Sequence, residues 1–252
     1  MSYHIAEVLS AGYTFVLLLS IDMEPQQENK LLIPGALVIA GLLIGGAIYF
    51  KGDTPVKTPD DLTQPAEIAI EPISLNDHVL GNPNASVVLI EFSDIDCPFC
   101  RNFDTTMHQI INEYGASGDV AWVYRHFPLD QLHPDARKKA EATECVAKLG
   151  SNEAFWGFLG ELFERTDESL ADLGALAADT GVDQTAFQSC LDGGEFIDDV
   201  VAAGEAALKA GGRGTPYTVL IAPNGEKAVI SGAQPYEVVK QAIETALLQT
   251  AN

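Results

Sequence analysis

The run VVLIEF at residues 87–92 is followed, four residues later, by Cys97-Pro98-Phe99-Cys100. The run is apolar except for Glu91 and reads as a central, buried strand. From Pro98 onward, Phe99, Cys100, Phe103, Met107, Ile110, Ile111 and Tyr114 recur mostly every three or four positions. That spacing is one buried face of a helix, which Gly115 and Gly118 bring to an end. A Cys-x-x-Cys therefore stands where a buried strand turns into a helix, and this placement says more than the spacing alone.

A cysteine just ahead of a helix faces free backbone N–H groups and the positive end of the helix dipole. Both stabilise thiolate, the reactive form of the side chain. Pro98 suits the first helical turn, where its missing N–H would be unpaired anyway. Cys97 is expected to be exposed and nucleophilic. Cys100, one turn in, is expected to be more buried and to complete a disulfide. Arg101 favours thiolate, whereas Asp94 and Asp96 oppose it. Two other readings of a lone Cys-x-x-Cys are half a zinc site and a pair of structural cysteines. Zinc needs two further ligands, and the sequence has no second Cys-x-x-Cys or His-x-x-His; His108, His126 and His133 are scattered. No calcium-loop pattern is present either, so no metal is expected.

The remaining elements follow the same order of strand and helix. Residues 120–124 (VAWVY) read as a second strand. Residues 134–211 are rich in Ala, Leu, Glu and Asp with several glycine stops, and read as four or five short helices. Residues 217–221 (YTVLI) and 227–230 (KAVI) read as strands joined by Ala222-Pro223-Asn224-Gly225-Glu226, whose Asn-Gly step favours a tight turn. Residues 237–248 close the chain as a helix. This is an α/β domain over 75–252 carrying a helical insert at about 134–211.

Ahead of the domain, residues 31–50 (LLIPGALVIAGLLIGGAIYF) carry no charge. Twenty helical residues span about 30 Å, the bilayer hydrocarbon. The competitor is a cleaved signal peptide, but its apolar part would be shorter and end on small residues, and this run ends Ile48-Tyr49-Phe50. An uncleaved single transmembrane signal anchor fits better. Residues 51–74, with Pro55, Pro59, Pro65 and Pro72, read as an extended linker. Residues 1–30 form an N-terminal segment in which Met23 opens a polar lead, MEPQQENK, and reads as the true start. Lys30 before the span and Lys51 and Lys57 after it give no orientation bias. The formal net charge of −22, from 36 acidic and 14 basic residues, argues against nucleic acid as a partner.

SVVLIEFSDIDCPFC, then YRHFPL and HPDARKKAEATECVAK, then GGRGTPYTVLIAPNG, resemble the DsbA-like thiol-disulfide oxidoreductases of the thioredoxin superfamily, over about residues 75–248. The resemblance implies a thioredoxin fold with a helical insertion. It implies that Thr215-Pro216 is the cis-proline loop lying against the active cysteines, with the Thr215 backbone pairing an extended client chain. Pro98 and Phe99 join Thr215 and Pro216 as candidate substrate-binding residues. It also implies that Glu91 is a buried acid that accepts the Cys100 proton; the alternative is a strand-end acid that reaches solvent. One departure is Phe99, where the most oxidising members have histidine; a phenyl ring cannot donate a hydrogen bond to a thiolate, so a milder oxidant is expected.

Cys145 and Cys190 both fall in helical patterns of the insert. They read either as buried free thiols or as a structural disulfide, and an oxidising compartment favours the disulfide. The whole chain is then expected to be a cell-membrane protein with its catalytic domain outside the cytoplasm, in the periplasm or beyond. It would donate the Cys97–Cys100 disulfide, with no other cofactor, to exported proteins with free thiols, and a membrane redox partner would reoxidise it. The alternatives are a disulfide reductase or isomerase, and a tethered peptide-binding module with the same fold.

Overall fold

A computed structural model describes residues 68–165 and 169–249. The apolar run at 31–50, Met23 and the linker before residue 68 lie outside the described residues. Among the described residues no helix is long and apolar enough to cross a membrane.

The strand containing Glu91 is β2, Val87–Ser93, and all of its residues but Val88 are buried. β1 is His78–Gly81, β3 Val120–His126, β4 Tyr217–Ile221 and β5 Lys227–Ser231; they form one sheet in the order β1-β3-β2-β4-β5. β2 and β3 run parallel, and the other neighbours pair antiparallel. Parallel neighbours need a crossover, and helix α1, Pro98–Tyr114, supplies it. α1 buries Cys100, Phe103, Met107 and Ile110, one face at helical spacing. It ends at Gly115, whose N–H donates to the Ile111 carbonyl at 2.8 Å.

Successive side chains of a strand point to opposite faces. Val87 and Leu89 enter the larger core cluster with Phe103, Met107 and Ile110 of α1. Ile90 and Phe92 enter a second cluster with Val123, Phe127 and Val219. Glu91, two residues from Leu89, is therefore turned to the α1 side, where Cys100 lies. Each fully buried Leu, Ile or Phe contributes roughly 1.5–3 kcal/mol, so Phe103→Ala would loosen α1 and with it the cysteine turn.

Among the described residues the insert has five helices: α2 Ala136–Leu149, α3 Asn152–Glu164, α4 Leu173–Asp179, α5 Gln184–Gly193 and α6 Ile197–Lys209. Side-chain caps start two of them: Ser151 Oγ accepts from the Ala154 N–H, and Asp183 Oδ1 from the Ala186 N–H. α5 stops at Gly194, whose φ of +62° is left-handed. Cys145 of α2 and Cys190 of α5 are joined by a disulfide, with Cα atoms 6.0 Å apart. A last helix, α7, Tyr236–Leu247, packs Val239 and Ile243 into the larger cluster.

Two details differ from the sequence reading. β1 was not expected; it is a short edge strand with no full alternation, and only its pairing with β3 defines it. The end of the linker is not a free tether. Ile68 and Ile70 pack on the second cluster, and Arg125 ties the Glu71 and Pro72 carbonyls while pairing with Asp77 at 2.7 Å.

Candidate active site

The cysteine turn is held between three parts of the chain. Cys97 is the N-cap residue of α1, with Pro98 opening the helix. Its side chain makes no cap bond, so its sulfur stays free for other contacts. The Thr215–Pro216 peptide bond is cis, and the Thr215 carbonyl lies 3.6 Å from Cys97 Sγ. The Asp94 N–H donates to Cys100 Sγ at 3.4 Å. Both thiols are free. Cys97 is only 4% exposed and Cys100 is fully buried. The expected exposure of Cys97 is thus corrected: the cis-proline loop covers it, and it remains only the more open of the two. Pro98 and Phe99 project outward, Phe99 at 62% exposure.

The two sulfurs have opposite acidity. The Cys100 thiol donates to Cys97 and is the largest cause holding its pKa down to about 5. Burial opposes this, while the Thr215 side chain and the N–H groups of Cys100 and Phe99 assist. Cys100 is driven far up, first by burial, then by its bond to Cys97 and by the charge of Glu91. One sulfur is ready to be an anion and the other is kept as a thiol.

Beneath Cys100 lies a buried polar floor. Glu91 is paired in register with Tyr124 on one side and Thr218 on the other, and all three are at most 1% exposed. Glu91 therefore does not reach solvent. Burial pushes its carboxyl up to about 8. The Ser93 hydroxyl and Trp122 indole pull partway back without reaching full hydrogen-bond geometry. Glu91 Oε2 and the hydroxyls of Ser93, Tyr124 and Thr218 all lack a protein partner. A carboxyl with a pKa near neutrality, under a thiol that must lose its proton, is placed for proton transfer.

The two acids beside Cys97 are both engaged elsewhere. The Asp94 carboxylate accepts from the Leu129 N–H at 2.7 Å and the Asp96 N–H at 2.9 Å, and meets His133 Nδ1 at 3.0 Å. Asp96 Oδ1 pairs with Lys139 Nζ of α2. Leu129, His133 and Lys139 lie 35–43 residues away in sequence, and the sequence reading did not find them. One signal was present: Lys139 stands on a helix face with Ala136, Ala140 and Thr143, where a charge needs a partner. Among the described residues no group of three or more His, Cys, Asp or Glu side chains is arranged to hold a metal ion.

A sequence model of the thioredoxin family matches residues 74–245. The chain belongs to the thioredoxin family. Among solved structures, the chain is similar to oxidised BdbD from Bacillus subtilis, at 26% identity and a TM-score of 0.63, covering 72% of this chain and 98% of that one. It also shares its fold with α-DsbA1 from Wolbachia pipientis, at 23% identity and a TM-score of 0.61, covering 75% and 96%. Among curated proteins it is similar to a Na(+)/H(+) antiporter NhaA 1 of Mycolicibacterium gilvum (strain PYR-GCK), 30% identical over 190 residues. That match takes in 72% of this chain but 29% of the antiporter, so the chain spans less than a third of the relative's length.

Proposed function

We propose that this protein is a thiol-disulfide oxidoreductase that donates the Cys97–Cys100 disulfide to exported proteins, from a membrane anchor at residues 31–50 and outside the cytoplasm. The observation that carries the reading is the split between the two sulfurs, an acid Cys97 under the Thr215 carbonyl and a suppressed Cys100 over Glu91. In the oxidised form, a client thiolate attacks Cys97 Sγ. The Cys97–Cys100 bond breaks, Cys100 leaves with the electron pair, and protonated Glu91 supplies its proton. A second client thiolate then attacks the client sulfur of the mixed disulfide, and Cys97 leaves as a thiolate, which its surroundings stabilise. Two electrons have passed to the protein and one disulfide to the client. A membrane redox partner of disulfide- or quinone-reducing chemistry takes those electrons to restore the disulfide. The Thr215 backbone offers an edge for an extended client segment. The twenty uncharged residues at 31–50 support the anchor, and donor chemistry supports the extracytoplasmic side.

Phe99 favours a second reading, disulfide reduction or isomerisation, because its phenyl leaves the Cys97 anion without a side-chain donor from the dipeptide. The two are separated by mixing the oxidised protein with a reduced two-cysteine peptide and following peptide oxidation by mass. The donor reading expects stoichiometric oxidation that Cys97→Ser abolishes. Peptide left reduced, with the protein still oxidised, would refute it.

A further inference from the structure

We propose that Lys139, on the first helix of the insert, is a positioning residue that keeps Cys97 an acid thiol by binding the charge of Asp96. This rests on the reading of Cys97 as the attacked sulfur and adds a residue from outside the thioredoxin core to its control.

Asp96 directly precedes Cys97. A carboxylate so close disfavours a thiolate unless its own charge is met. Lys139 meets it: Nζ is at hydrogen-bond distance from Asp96 Oδ1, and the two side chains are only 11% and 22% exposed. Lysine is rarely so buried without a partner. Here its stem lies on the α2 face that also buries Ala136, Ala140 and Thr143, so its ammonium is held against the cysteine turn rather than swinging in water. A pair shielded from solvent is also less screened by salt than a surface pair.

The other groups around Cys97 do not duplicate this role. Asp94 is taken up by His133 and two backbone N–H groups. Cys100 and Glu91 lie beneath, and Thr215 faces the sulfur across the cis-proline loop. Arg101, a turn into α1, lines a separate cleft with Asp104 and His108. Loss of Lys139 would leave one uncompensated negative charge on the residue next to Cys97.

The test is alkylation of Cys97 by iodoacetamide in the reduced full chain, followed on the Cys97 peptide by mass across pH. The midpoint of the rate profile reads the thiolate directly, without client or redox partner. Lys139→Gln is expected to raise the midpoint by about one unit, or about tenfold less thiolate below it. Lys139→Arg should restore the wild-type midpoint. Lys139→Gln combined with Asp96→Asn should also return toward it, because the charge to be met has gone. Asp96→Asn alone should lower the midpoint, and it serves as the test if Lys139→Gln does not fold. An unchanged midpoint in Lys139→Gln overturns the proposal. So does a double variant as displaced as the single one, or a raised midpoint in Asp96→Asn. Failure of disulfide donation by the wild-type protein would instead refute the proposed function, and the midpoints would still decide this one.

Discussion

The chain holds two pairs of cysteines, and their surroundings set them to opposite uses. Cys97 and Cys100 stand at the start of α1, free, with backbone N–H groups, a carbonyl and a buried acid around them. Cys145 and Cys190 lie within α2 and α5, 45 residues apart in sequence, bonded and packed in the main core cluster. Neither lies at a helix start. The lesson is that reactivity comes from what stabilises the thiolate and what receives the proton. Cys145 and Cys190, inside helices and bonded to each other, act as a tie.

The largest expected effects separate the pairs outright. Cys97→Ser should reduce disulfide exchange to background, with little change in the melting temperature of the reduced protein at pH 5, where the Cys97 charge adds little stability. Replacing Cys145 and Cys190 together by alanine should do the reverse. It should cost about 2–4 kcal/mol of stability, or roughly 4–16 °C in Tm, while exchange persists. Calorimetry beside an exchange assay checks both, and a double variant with unchanged Tm would break the contrast.

Next in size is the acid beneath the first pair. Proton transfer by a placed group is worth about 100-fold at the low end, so Glu91→Gln should slow exchange by about that much. It should also remove the fall in donation rate above about pH 8, where the wild-type carboxyl has lost the proton it supplies to Cys100. A rate profile unchanged from pH 6 to 9 would remove Glu91 from the mechanism.

Of comparable size is a pH-dependent stability of the reduced form. The folded pKa of Cys97, about 5, lies below the ordinary thiol value of 9.0. Such a depressed group adds stability that is fully present above pH 9 and is lost as pH falls to 5. The Tm of reduced minus oxidised protein should therefore climb between about pH 5 and 9; Glu91 titrates in both forms and largely cancels. Cys97→Ser should flatten the climb. Smallest is Phe99→His. One added donor to the thiolate, at about 1.5–3 kcal/mol for a charged hydrogen bond, should raise the reduction potential by about 30–60 mV. A fall in potential would show that Phe99 is not what moderates the site.

Local pattern carried most of the fold. The apolar run of β2, the period of α1, the Asn-Gly turn between β4 and β5 and the helical composition of the insert are all properties of neighbouring residues. The cysteine turn was legible for the same reason. The cis bond before Pro216 was not; a Thr-Pro step in a loop reads as an ordinary proline, and only the family resemblance pointed to it. The ties from Asp94 to His133 and from Asp96 to Lys139 were also hidden. They join residues about 40 positions apart, and nothing in a single sequence pairs one acid with one base among so many. The same holds for Glu144, which α2 brings between His78 and His126; burial pushes its carboxyl up, but the bonds from His126 and His78 hold it at about 2.

The most direct test of disulfide donation is the reduction potential of the Cys97–Cys100 couple, by equilibration of the protein with glutathione redox mixtures. Thioredoxin, a reductant, lies at about −270 mV, and a strong donor at about −120 mV. An acid Cys97 stabilises the reduced form, so the account predicts a value well above −270 mV and toward −120 mV. A value at or below −270 mV would contradict it and would make the protein a reductant in need of an electron supply.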